Sequence, residues 1–333
     1  MRNLEFEMLN LSFLMCLFAS AAGSEERPCV LTVVGASGKS EYGAEFRRSA
    51  DHWKAAAAKA GAESIAIGLS DESGVTDRDR LHAILTEQSK VLREPLWIVL
   101  IGHGTYDGRE AKFNLRGPDV TDLELSKWLE PMKRPVVVLD CASASAPFLN
   151  RLSGANRIIV TATRSGSETN YARFGGFLSG AIADPQADLD KDGQVSLLEA
   201  YLTASRRVEE YYRTRSQLAT EHALLDDNGD RLGTQADWFR GVRATRRAKD
   251  GAPLDGIRAH QLHLILSDRE RGIPAETRRR RDQIELAIAA LRDQKSKLAE
   301  DEYYKRLEPL MVDLGRLYRD VQAGATSPGE HSH

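Results

Sequence analysis

The chain has little cysteine, little net charge and no apolar run long enough to span a bilayer. Its 333 residues carry three cysteines and a formal charge of −3. A field that weak does not attract the whole molecule to nucleic acid or to an anionic membrane. Three cysteines exclude a small disulfide-stapled scaffold. The longest apolar stretch, Met8 to Ala22, falls short of the roughly 20 residues a transmembrane helix needs. It ends in Ala19-Ser20-Ala21-Ala22-Gly23, the small-residue cleavage pattern of an export signal. We therefore expect residues 1–23 to be removed, leaving an exported chain with no stable membrane insertion.

Removal of that segment leaves Cys29 and Cys141. Cys29 opens one apolar strand and Cys141 closes another, so in a parallel sheet they lie about a strand length apart, roughly 17–20 Å. A disulfide tolerates about 7 Å. Cys141 is therefore expected to be a free thiol.

What is present is an alternation of buried-strand runs and amphipathic helices. Apolar strands are read at 29–34, 64–67, 96–101, 136–140, 157–162 and 260–267, and helices at 45–60, 77–90, 121–129, 146–152, 174–183 and 196–212. Thr121 with Glu124 forms a capping-box signature, and Gly61 a helix stop. The pattern predicts an α/β fold with an open, mostly parallel six-stranded sheet between helices. From about Glu276 two amphipathic stretches predict a helical hairpin over 271–323, followed by a disordered tail at 324–333. The basic run Arg278 to Arg281 reads as a solvated helix face, so no nucleic-acid partner is expected. Trp53, Trp97, Trp128 and Trp238 are read as core, while His260 and His263 fall on opposite faces of a strand and make no metal pair.

Two strands end in chemistry. Leu96 to Ile101 is followed by Gly102-His103-Gly104, and Val136 to Asp140 by Cys141-Ala142-Ser143-Ala144. Parallel strands bring both ends to one carboxyl edge, where open α/β sheets place their sites. A thiol nucleophile needs a base and two N–H donors for the tetrahedral oxyanion. His103 is the candidate acid/base, Cys141 the nucleophile, and Gly104 with Cys141 the donors. Ala142, Ser143 and Ala144 leave room for a substrate.

At these positions the chain resembles the caspase-fold clan of cysteine peptidases that includes legumains, caspases and gingipains, with a legumain-like flavour. The resemblance rests on His103-Gly104, Asp140-Cys141, the loop Val33 to Gly38 and Thr161-Ala162-Thr163, and spans about residues 28–270 as a pattern of elements. It implies a caspase-like peptidase domain over 24–270 that cleaves peptide bonds, or transfers the acyl group to another amine, through a Cys-His dyad and a thioester. It also places substrate contacts in the loop after the fifth strand, at Thr163, Ser165 and Glu168, where Glu168 would pair with a basic side chain. Legumains carry a basic residue after a tyrosine in the first loop. Here Gly43 follows Tyr42, which departs from the asparaginyl pattern.

Asp188, Asp190, Asp192, Gly193 and Glu199 occupy positions 1, 3, 5, 6 and 12 of an EF-hand loop, with the Gln194 carbonyl available at position 7. Hard carboxylate oxygens at that spacing predict a structural calcium ion. Asp226, Asn228, Asp230 and Asp237 echo the spacing, with Arg231 where glycine is needed. Two other readings stand beside the peptidase: a catalytically silent calcium-binding α/β module whose C-terminal helices bind a partner protein, and a non-proteolytic hydrolase using the same nucleophile.

Overall fold

The structure is a computed structural model that describes residues 26–70 and 74–326, the side chains of 323–326 excepted. The expected export signal and most of the expected tail lie outside the described residues. Among those described, no helix is long and apolar enough to cross a membrane.

Five parallel strands form the heart of the sheet: β1 (Cys29–Val34), β2 (Glu63–Ile67), β3 (Leu96–Ile101), β7 (Val136–Asp140) and β8 (Arg157–Thr161). Between β3 and β7, the short strands β4 (Gly104–Tyr106), β5 (Ala111–Phe113) and β6 (Val120–Thr121) make a separate antiparallel sheet. Beyond β8 come β9 (Leu224–Asp226) and β10 (Thr234–Gln235), each antiparallel to its neighbour. The order across the main sheet is β10-β9-β8-β7-β3-β1-β2. A small hairpin pairs β11 (Phe239–Arg240) with β12 (Arg243–Ala244).

Helices α1 (Ser40–Ala60), α2 (Asp77–Gln88), α3 (Asp122–Leu129), α4 (Ala146–Leu152), α5 (Phe174–Ala181) and α6 (Leu197–Thr214) cover both faces. Alternation along each strand sorts the side chains. Val30, Trp97, Val137 and Leu139 meet Phe46, Trp53, Leu178 and Tyr201 on the side of α1, α5 and α6. Leu31, Ile98 and Val138 meet Leu81, Leu85, Leu125 and Leu149 on the other. Every residue of β1, β3 and β7 is buried, which is why these strands read as unbroken apolar runs. Gly61 ends α1 in the left-handed region at φ 65°, and the Thr121–Glu124 capping box is formed in both directions.

Three expectations are corrected. The main sheet has seven strands rather than six, because the short β9 and β10 complete it. The expected strand at His260 to Ser267 is instead α7 (Ile257–Gln261) followed by an extended piece that makes one antiparallel bridge, His263 to Ser196. The cause lies far away in sequence: the Asp227 carboxylate accepts the N–H groups of Gly256 (2.9 Å) and Ala259 (2.8 Å) and caps that turn. Of the four tryptophans, Trp53 and Trp97 are fully buried, whereas Trp128 is half-buried against His82 and Trp238 is half-buried as well.

The one-turn helix α8 (Asp268–Arg271) leads into α9 (Ala275–Asp293) and α10 (Glu300–Thr326), an antiparallel hairpin that packs through Ile288, Leu291, Tyr303 and Leu317. Tyr304, Met311 and Val312 of α10 are exposed, whereas Tyr318 turns toward α9 and donates its hydroxyl to Glu285 at 3.4 Å. Residues 324–326, expected in the tail, continue α10.

Candidate functional site

The register Leu100 to Asp140 between β3 and β7 sets Cys141 opposite Ile101, with His103 two residues further on. Both side chains emerge on the face covered by α1 and α5. His103 is half-buried, with Tyr42, Phe46 and Tyr171 packed around its ring at centroid distances of 5.2, 5.4 and 6.0 Å. Its Nε2 lies 3.2 Å from the Ser37 carbonyl, a contact that requires the proton on Nε2.

Cys141 is 5% exposed, and its thiol donates to the Leu139 carbonyl at 3.7 Å. Helix α5 closes over it: a Cβ on Gly175 would sit 2.4 Å from Cys141 Cβ and 3.0 Å from Sγ. Burial, and then the neighbouring Asp140, push the thiol well above its ordinary pKa. That is opposite to what a thiolate nucleophile needs. Among the described residues no hydrogen bond joins Cys141 to His103.

The two expected oxyanion donors are also engaged. Cys141 N–H donates to the Leu100 carbonyl at 3.0 Å, continuing the ladder to β3. Gly104 N–H donates to Ser143 Oγ at 3.2 Å, and that hydroxyl donates back to the Gly104 carbonyl at 3.1 Å. Gly104 is glycine because a Cβ there would lie 2.3 Å from the Ser143 carbonyl oxygen. Ser143, read from sequence only as a small residue, is the latch between the two strand ends. Asp140 is buried beside it. One oxygen accepts the Ala142 N–H at 3.1 Å, the other has no partner among the described residues, and burial pushes the carboxyl pKa up to about 8.

The expected substrate residues are held within the chain. Thr163 is fully buried, and its hydroxyl accepts the Ala146 N–H at 3.1 Å and meets Ser145 Oγ, tying β8 to α4. Ser165 bonds Ser167. Glu168 lies 2.6 Å from His222 Nδ1 and 3.4 Å from Arg164 Nε, and also accepts the backbone N–H groups of both. Its charge is met by Arg164 and His222, two residues the sequence did not single out.

The acidic loop brings one oxygen each from Asp188, Asp190 and Asp192 within 4.8 Å of one another. Lys191 and Gly193 turn the chain at φ 65° and 93°. This donor set fits a hard cation. Glu199 is buried and turned inward: it accepts Leu189 N–H (2.7 Å), Asp190 N–H (3.2 Å) and both donors of Ser196 (2.8 Å each). Gln194 spends its side chain on Asp192 and on the Ser267 N–H. His260 Nε2 sits 2.9 Å from Asp190.

No family model matches the chain, and no curated protein matches it by sequence. Solved structures do resemble it. Protein GSU0716 from Geobacter sulfurreducens is 12% identical with a TM-score of 0.42, over 60% of this chain and 93% of that one. The Drosophila initiator caspase Dronc is 13% identical with a TM-score of 0.39, over 60% and 79%. Caspase-1 from Spodoptera frugiperda is 9% identical with a TM-score of 0.39, over 60% and 86%.

Proposed function

We propose that this chain is an exported binding module on an α/β scaffold, silent as a thiol enzyme, with a calcium ion stabilising its acidic loop and a partner protein meeting its C-terminal hairpin. The observation that carries it is the state of Cys141: 5% exposed, closed in by Gly175 and, among the described residues, without a hydrogen bond to His103. Burial of this kind disfavours the thiolate that nucleophilic catalysis uses. For calcium, Asp188, Asp190 and Asp192 would hold the ion. Glu199 would join them only by giving up the N–H groups it now accepts. The ion supplies fixed positive charge and no chemistry.

A second reading, a cysteine peptidase or transpeptidase with Cys141 as nucleophile and His103 as acid/base, is favoured by one observation: the two residues leave adjacent parallel strands on the same face. One experiment separates the two. The native protein is incubated with a thiol-directed peptide inhibitor library, with and without calcium, beside Cys141→Ala. The module predicts no labelling and no peptide turnover. Labelling and peptide cleavage that are both abolished by Cys141→Ala would establish the peptidase, and labelling without cleavage a hydrolase of other substrates.

A further inference from the structure

A cavity of about 490 Å³ opens past the carboxyl end of β8, between α6 and the segment 217–223. A second hollow of about 270 Å³ adjoins it, and Glu209, Ala236 and Asp237 border both. The floor of the first is apolar: Phe174, Val208 and Tyr212 are 1%, 6% and 7% exposed. Ser205, Val208, Glu209 and Tyr212 recur at helical spacing, so one face of α6 supplies both floor and rim.

The charges around the rim are unequally satisfied. Arg164 is paired with Glu168 at 3.4 Å, and His222 with the same carboxylate at 2.6 Å. Arg213 reaches Glu210 at 3.8 Å. Glu221 is buried and accepts the N–H groups of Arg173 and Phe174 together with the Tyr212 hydroxyl. Glu209 and Asp237, and in the adjoining hollow Arg206, are left: all three are exposed and none has a hydrogen-bond or ion-pair partner among the described residues, but only the two carboxylates line the first cavity. Beside them Leu218 is 90% exposed, the most exposed large apolar side chain described. Two unpaired carboxylates over an apolar floor, next to an uncovered leucine, complement a group that is apolar along its length and cationic at its tip.

We propose that this cavity receives a lysine or arginine side chain of a partner peptide, with its alkyl stem along Phe174, Val208 and Tyr212 and its cation between Glu209 and Asp237. Leu218 covers the peptide backbone from outside. This rests on the binding-module reading and goes beyond it, adding to the hairpin a second recognition surface at the sheet's carboxyl edge.

The test is fluorescence polarisation of the full chain with fluorescein-labelled Ser-Gly peptides carrying a central Ala-Lys-Leu, or the same peptide with norleucine for lysine. The lysine peptide should bind at least tenfold tighter. Glu209→Gln with Asp237→Asn should erase that difference without changing the circular-dichroism melt. Equal affinity for the two peptides, no binding of either, or a preference that survives the double substitution overturns the proposal. Spermidine displacing the peptide as strongly as the free lysine peptide does would assign the site to a small polyamine and overturn it too. The peptide is recovered and checked for cleavage in parallel. Cleavage lost in Cys141→Ala would overturn the module reading, whereas the lysine preference alone decides the cavity.

Discussion

Gly175 and Cys141 touch so closely that α5 leaves no space for one more carbon: an added Cβ would lie 2.4 Å from Cys141 Cβ. The thiol is thereby a packing element. In the native protein Cys141 should react with a disulfide reagent such as dithionitrobenzoate no faster than the protein opens, and should react at once in denaturant. Cys141→Ala should cost on the order of 1 kcal/mol of stability. Gly175→Ala should cost more, about 1–3 kcal/mol, because overpacking displaces the helix or the strand. Fast labelling of the folded protein would contradict the buried thiol.

Asp140 makes a prediction about pH. Its carboxyl is raised by burial from an ordinary 3.8 to about 8 in the folded chain, so between those values the folded state holds a proton that the unfolded state has released. Its contribution to stability is therefore full below about pH 4 and is lost progressively as the pH rises toward 8. Asp140→Asn should flatten that fall and leave the variant the more stable protein at pH 8, by an amount on the order of a few kcal/mol. Some slope should remain, because Asp255, also raised to about 8 by burial and by Asp227, titrates in the same window. Urea unfolding at pH 5, 6.5 and 8 measures the difference. A variant less stable than the parent at pH 8 would mean that Asp140 has a partner when ionised.

Much of this architecture was legible in the residues. Runs such as Val136-Val137-Val138-Leu139, short and β-branched, read as two-sided buried strands, and Thr121 with Glu124 announced a helix start that is formed. The alternation also set His103 and Cys141 on neighbouring strand ends. What the sequence hid is contact between distant segments. His260 to Ser267 alternates like a strand, yet Asp227 caps the turn before it. Gly104 looked like an oxyanion donor, yet its N–H and its missing side chain both answer to Ser143. Glu168 looked free for a substrate, yet His222, 54 residues away, holds it. A periodicity places a residue on a face and does not say what already occupies the space in front of it.

Glu199 decides how calcium and folding are linked. Its carboxylate closes a capping box at α6 with Ser196 and also holds the N–H groups of Leu189 and Asp190, so it stabilises the loop with or without an ion. Ser196→Ala should cost about 1 kcal/mol, the ordinary value of an N-cap. Glu199→Gln should cost more, because it weakens charge-assisted bonds in a buried setting. Asp188→Asn, Asp190→Asn and Asp192→Asn are predicted to behave differently. Their carboxylates are partly or fully exposed, so the triple variant should melt close to the parent in a chelator and lose the rise that calcium gives the parent. A calcium concentration one hundred times the dissociation constant should stabilise the parent by about 2.7 kcal/mol. If calcium leaves the parent's melt unchanged, the three aspartates are a solvated turn before α6, held by Glu199 and by the backbone N–H groups the aspartates themselves accept.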